Sequence, residues 1–254
     1  MVSTMTAPIL EASMSDQARQ RLRKPLRRGS FRPLDAARAE FGLLTVADTQ
    51  GQARIYWLID LNTQVVEDAR FLAFGSLASH PIADCWTEQL RGQSVEAVCH
   101  MAAADIEAAL RDKSGTPAFG EAGLEPLNFI SELQALALAA LPSVKLLPKP
   151  VEVERYQRKR EQDWDEQDRV WLPLSLMKKI MQVQDLAGKA LSERLNRSDI
   201  AWSVEGLHDD FAVVVKFGGT GWMPPEDEQP TLVLFIQSAL QNAIHPAITV
   251  SVKS

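Results

Sequence analysis

Residues 65–80 read VVEDARFLAFGSLASH. From Val65 to Phe74 the side chains alternate in the period-two pattern of a half-buried strand; Phe74-Gly75-Ser76 then predicts a turn, and small residues lead into the start of a helix. A strand that hands a tight turn to a helix N-terminus is a common place to hold a ligand. Here the turn carries Ser76, with no cysteine, histidine or acidic residue beside it.

Working outward, the segments LLTVAD (43–48), ARIYWLIDL (53–61) and QVVEDARFLAF (64–74) predict an antiparallel meander, with DLNTQ (60–64) as the hairpin turn between the last two. Helical periodicity follows in PIADCWTEQLRG (81–92), where Ile82, Cys85, Trp86 and Leu90 recur at spacings of three and four and Gly92 stands just past the end. SVEAVCHM (94–101), opened by an N-cap at Ser94, and AADIEAAL (103–110) predict two short helices. A Gly and Pro loop, 113–127, leads to a longer helix from about Ser131 to Leu141. Beyond it lies a stretch with three prolines and a dense charge run from Glu152 to Arg169, the composition of a linker or exposed helix. The remainder predicts a helix (174–196), strands at 199–207 and 211–217 joined around His208-Asp209-Asp210, a Gly/Pro loop, a helix (231–244) and a last strand (247–252). The fold class is therefore α+β. The expected organisation is a flexible tail at 1–17, a first domain at 18–142, a charged linker at 143–172 and a small αββαβ domain at 173–254.

Hydrophobic residues make up 46% of the 254 and charged residues 24%, the balance of a globular protein with an adequate core. The net charge of −6 argues against nonspecific nucleic-acid binding by the whole molecule. The basic segment Arg19 to Arg38 is the local exception, a feature that suits an acidic partner, a phosphate backbone or a membrane surface, or else a solvated helix end and loop. No run reaches the ~18–20 apolar residues of a membrane span. The N-terminal residues lack the pattern of a secretory signal, so a cytoplasmic location is expected. Cys85 and Cys99 are too few for a disulfide scaffold.

Four ordered blocks carry a family resemblance: KPLRRGSF (24–31), VVEDARFLAFGS (65–76), TEQLRGQSVEAV (87–98) and AADIEAAL (103–110). On these the first domain, about residues 20–141, resembles the NifU/IscU iron-sulfur cluster scaffold family. The second resembles the Nfu-type C-terminal domain of NifU. The resemblance implies an IscU-like meander covered by helices, followed by an Nfu-like domain.

It also implies where cluster ligands would stand, and none is a cysteine. Such scaffolds hold a nascent cluster with three thiolates. By alignment with the family pattern the first falls at Gln50, the second at Ser76 and the third near Phe129-Ile130-Ser131, centred on Ile130. The aspartate that tunes cluster release in the family falls at Gln52. In the second domain the Cys-x-x-Cys loop corresponds to GGTGWMPP (218–225), with Gly219 and Trp222 as counterparts.

Other side chains are of metal-ligand type. His80, Asp84 and Cys85 lie at i, i+4 and i+5 of a predicted helix, where His80 and Asp84 share a face; against this, Cys85 suits the helix core and Pro81 the first turn, leaving His80 at the N-cap. Cys99 and His100 are adjacent, so their side chains diverge by ~100° on a helix. His208 with Asp209 and Asp210 reads as a hairpin turn, and His245-Pro246 as a helix stop. FGGTG (217–221) lacks the lysine and helix start of a phosphate loop, and no set of nucleophile, base and orienting group stands out, so an enzyme is not expected. Trp57, Trp86 and Trp202 suit the cores, while Trp164 and Trp171 flank the charged stretch.

Together these features lead to the expectation of a protein of iron-sulfur cluster assembly that acts as an accessory or regulatory pseudo-scaffold. The resemblance implies partners such as a cysteine desulfurase or a cluster acceptor, leaves a homodimer open, and allows iron or a cluster only through a non-family site. The alternative is a structural adaptor that reuses the fold within another complex.

Overall fold

The computed structural model describes residues 11–151, 156, 157 and 159–253. Two compact units emerge. The first runs up to Phe31 and resumes over Ala39–Leu146; the second takes Arg32–Arg38, most of helix α2 (Pro33–Ala39), together with the chain from Leu147 onward. Residues 1–10 of the expected tail lie outside the described residues. The rest of that tail is ordered chain: Ser15 caps α1 (Asp16–Arg23) by accepting the Ala18 amide, the Asp112 carboxylate accepts the amides of Asp16 and Gln17, and Met14 and Ala18 are buried.

In the first unit β1 (Gly42–Ala47), β2 (Ala53–Asp60) and β3 (Val65–Ala73) form an antiparallel sheet in the order β1-β2-β3, as the alternation predicts. The β2–β3 register slips by one at Leu58/Ile59, leaving Glu67 without a partner. That bulge lets Val66 and Ala69, of opposite parity, both face the core. The other edge of β3 is covered by the arm at 27–29: the Gly29 amide donates to the Phe71 carbonyl (2.8 Å) and the Phe71 amide to the Arg27 carbonyl (3.2 Å).

Helices α3 (Ser79–Gln89), α4 (Val95–Cys99), α5 (Ala103–Ala109) and α6 (Asn128–Ala140) supply the rest of this core. Trp57 of β2 and Trp86 of α3 are fully buried and meet edge to face, with ring centroids 5.8 Å apart. Ser94 caps α4 through the Ala97 amide, as expected. α6 begins three residues earlier than predicted, and its buried Gln134 donates to the carbonyls of Val98 and Met101.

The second unit has the expected αββαβ core: α8 (Leu176–Leu195), β4 (Trp202–His208), β5 (Ala212–Phe217), α9 (Gln229–Ala243) and β6 (Thr249–Val252). β5 is central, antiparallel to β4 and parallel to β6, with α9 as the crossover. Val183, Ala187 and Leu191 recur every four residues along the buried stripe of α8. Within the predicted linker, α7 (Glu166–Trp171) is closed by a reciprocal capping box between Asp165 and Asp168. Trp171 is buried and donates its indole N–H to the Asp210 carbonyl (2.9 Å), so this part of the charged stretch is core of the second unit. Among the described residues no helix is long and apolar enough to cross a membrane.

Candidate functional site

The β1–β2 loop is shaped by one carboxylate. Asp48, buried at the end of the sheet, accepts the amides of Gln50 (3.2 Å), Gln52 (3.0 Å) and Ala53 (2.6 Å). This fold of the chain leaves Gln50 exposed, and the Gln52 side-chain amide donates to the Gln50 side-chain carbonyl (3.0 Å). The turn after β3 closes on the same loop: the amides of Phe74 (2.8 Å) and Gly75 (3.1 Å) both donate to the Gln52 carbonyl. From the other side the carboxylate of Glu132, on α6, accepts the Thr49 amide at 2.9 Å.

Thus the loop of Gln50, the turn of Ser76 and the start of α6 converge. Gln50 and Ser76 are both exposed there, Ser76 between the exposed apolar side chains of Phe74 and Leu77. Ile130 itself is fully buried among the core residues of the first unit, on the inward face of α6. The residue of this helix that reaches the loops is Glu132, which the sequence pattern missed; Asp48 was missed too, although an Asp two residues before a Gln-Gly turn is a recognisable signal.

The His80/Asp84/Cys85 candidates do not form a metal site. Asp84 is fully buried and its carboxylate is spent on the N-terminal arm: one oxygen accepts the amides of Leu26 and Arg27 (both 2.8 Å), the other the Arg21 guanidinium (2.9 Å). Cys85 faces the core at 3.8 Å from the Ile106 carbonyl, and burial pushes its thiol up to about 11. Burial does the same for Cys99, also to about 11. His80 sits in the first turn of α3 rather than at its cap, where burial and then the charge of Arg28 hold it below the usual histidine range. The basic arm is largely neutralised, since Arg21 pairs with Asp84 and Glu88, Arg23 with Glu11, Arg27 with Asp68, Arg19 with Asp16 and Arg32 with Asp35.

In the second unit the loop after β5 is held as backbone rather than as a ligand shell. The Trp222 amide donates to the Asp199 carbonyl (2.7 Å) and the Ala201 amide to the Trp222 carbonyl (2.8 Å). Gly221, at φ +130°, lies so close to this edge that a Cβ would sit 2.5 Å from the Asp199 carbonyl oxygen. Gly219 faces open space, and the Trp222 ring is covered by the Arg197 guanidinium at 4.4 Å.

One further set of metal-type side chains comes together among the described residues: Asp165, Asp168 and His245. Lys159 already fills it, with its ammonium 2.7 Å from both carboxylates. His245 Nδ1 accepts the Ala247 amide (3.1 Å), which leaves the ring proton on Nε2, 3.2 Å from Asp168 Oδ1 and outside hydrogen-bond geometry. Burial, outweighing the nearby carboxylates, holds this histidine below its usual range and neutral. A protonated Nε2 and a resident ammonium do not suit a metal ion.

Comparison with known proteins agrees with the geometry of the first unit. No curated protein matches the chain. Residues 13–122 match the family model described as NifU-like N terminal domain, which spans the arm, the three-stranded sheet and α3 to α5. Over these residues, fewer than half of the 254, the chain is similar to NifU-like N-terminal domains.

Proposed function

We propose that the protein acts in iron-sulfur cluster assembly as an accessory or regulatory pseudo-scaffold, binding an assembly partner such as a cysteine desulfurase or a cluster acceptor without holding a conventional cluster. The observation that carries this reading is the apposition of Gln50 and Ser76 on two adjoining loops with Glu132 at the start of α6, with both thiols of the chain buried elsewhere. A cluster needs soft anionic sulfur ligands. A serine hydroxyl is far harder to deprotonate than a thiol near 8.5, and two glutamines add no charge. The exposed Phe74 and Leu77 beside Ser76 offer instead an apolar contact for a partner protein.

Anaerobic reconstitution with iron and sulfide, followed by visible absorption, tests the loss of cluster binding: no stoichiometric chromophore is expected. A stable cluster overturns the reading, whether it survives replacement of Cys85 and Cys99 or depends on them. Affinity capture with the wild-type chain and with a Phe74→Asp/Leu77→Asp variant tests the partner. Recovery of a desulfurase or cluster acceptor by the wild type, reduced in the variant, is expected; recovery only within an unrelated complex favours the adaptor alternative.

A further inference from the structure

An open pocket of about 350 Å³ in the second unit is lined by Tyr156, Lys159, Trp164, Leu172, Asp209, Asp210 and Phe211. That volume lies within the ~300–1,000 Å³ range of small-ligand sites. Its walls are aromatic: the Tyr156 and Phe211 rings pack at 4.4 Å, and Trp164 lines the same space with a buried indole N–H that has no hydrogen-bond partner.

Among the described residues the charges around it do not cancel. Lys159 is shared between Asp165 and Asp168, and Lys179, buried at 3% exposure, pairs with Asp210 at 2.6 Å. Asp209 has no partner among the described residues, and neutral His245 adds nothing. Two carboxylate charges are thus left uncompensated among these groups. A metal is disfavoured at the neighbouring carboxylates by Lys159 and by the protonated Nε2 of His245. An anion would meet Asp209, and the one exposed ammonium is already doubly paired.

The pocket wall already holds a cation in miniature. Lys159 Nζ lies 5.7 Å from the Tyr156 ring centroid, within cation-π range. In the three-residue connection 209–211 between β4 and β5, Asp209 and Asp210 are the central residues of a turn closed by the Phe211 amide donating to the His208 carbonyl (3.1 Å), at φ +48° and +66°, a conformation that glycine and asparagine adopt more easily. Their carboxylates are therefore not required by the turn; they are tolerated by it.

We propose that this pocket binds an organic cation: an ammonium or guanidinium group on an aliphatic stem, carried by a free small molecule or by a lysine or arginine side chain of a polypeptide. The stem would lie along Leu172 and Phe211, and the charged head would face the aromatic rings and Asp209.

The test uses the full-length chain and two probes, agmatine as a free cation and a capped Gly-Arg-Gly peptide, with the citrulline peptide as neutral control. Binding is read from the indole N–H resonance of Trp164, assigned through Trp164→Phe. Expected are a saturable shift below about 10 mM probe, weakening with salt, and at least about tenfold loss of affinity in Asp209→Asn. Asp209→Gly guards against misfolding as the cause: it should lose affinity equally while its thermal midpoint stays level or rises. The cation that binds more tightly identifies the source. No saturable shift with either probe, equal binding of the citrulline peptide, or unchanged affinity in Asp209→Asn overturns the proposal.

Discussion

Gly75 and Gln52 are in direct contact: the Gly75 amide donates to the Gln52 carbonyl at 3.1 Å, and a Cβ placed on Gly75 would stand 2.9 Å from the Gln52 Cβ. The two loops that carry Ser76 and Gln50 therefore meet through a position with no room for a side chain. Gly75→Ala is expected to destabilise the first unit by about 1–3 kcal/mol, the usual cost of forced overpacking. Gly115→Ala, which meets no atom within 4 Å, should stay within about 0.5 kcal/mol of the wild type. Urea unfolding of both variants decides it.

Asp84 distinguishes a structural carboxylate from a metal ligand. Removing it in Asp84→Ala leaves the Arg21 guanidinium and the amides of Leu26 and Arg27 without their acceptor, and a loss of about 3–5 kcal/mol is expected. His80→Ala, in the same helix, should change stability by no more than about 0.5 kcal/mol, and zinc titration should show no difference between wild type and His80→Ala. A small effect of Asp84→Ala would mean that the arm is held by other contacts.

The two thiols should be poor nucleophiles in the native protein. With burial holding both near pH 11, their thiolate fraction at pH 8 is about a hundredfold below that of an ordinary cysteine. Iodoacetamide at pH 8 is expected to alkylate Cys85 and Cys99 at least about 100-fold more slowly in buffer than in denaturant, as measured by intact mass. Because folding raises these two values, they stabilise the native state below the ordinary thiol pKa, and that contribution is lost as pH climbs towards 11.

Acid should loosen the second unit through Asp168. Burial alone would raise this carboxyl, but hydrogen bonds from Lys159, Tyr156 and the Asp165 amide outweigh it and hold the group down to about 2. The ionised form is favoured by folding, so its stabilisation is complete above about pH 4 and disappears as pH falls from there through 2. On the order of 2 kcal/mol is expected to be lost over that window in the wild type. Asp168→Asn should begin less stable and lack this part of the pH dependence, followed through the indole resonance of Trp171.

The strands, the helix at 79–89 and the αββαβ order of the second unit were legible because each rests on local periodicity: side chains alternate in Val65–Ala73 and recur every four residues in Leu176–Leu195. The charged stretch was misread because Trp171 and Asp168 are isolated among exposed acids and bases. Only their partners, Asp210 at 39 residues from Trp171 and Tyr156 at 12 residues from Asp168, make them core. Likewise, Ile130 occupied the third ligand position by alignment with the family pattern, whereas it lies on the inward face of α6 and Glu132 of the same helix reaches the loops.

What the sequence determined by itself is the class of fold and the absence of sulfur ligands at the loops, since both depend on residue type and short-range spacing. What only the tertiary structure decided is the use of each carboxylate: Asp48 holding a loop, Asp84 an arm, Asp168 a lysine and a tyrosine, and Asp209 nothing within the described chain. A carboxylate takes its role from the donors packed within about 3 Å of it, and those donors come from chain segments whose separation no local pattern encodes.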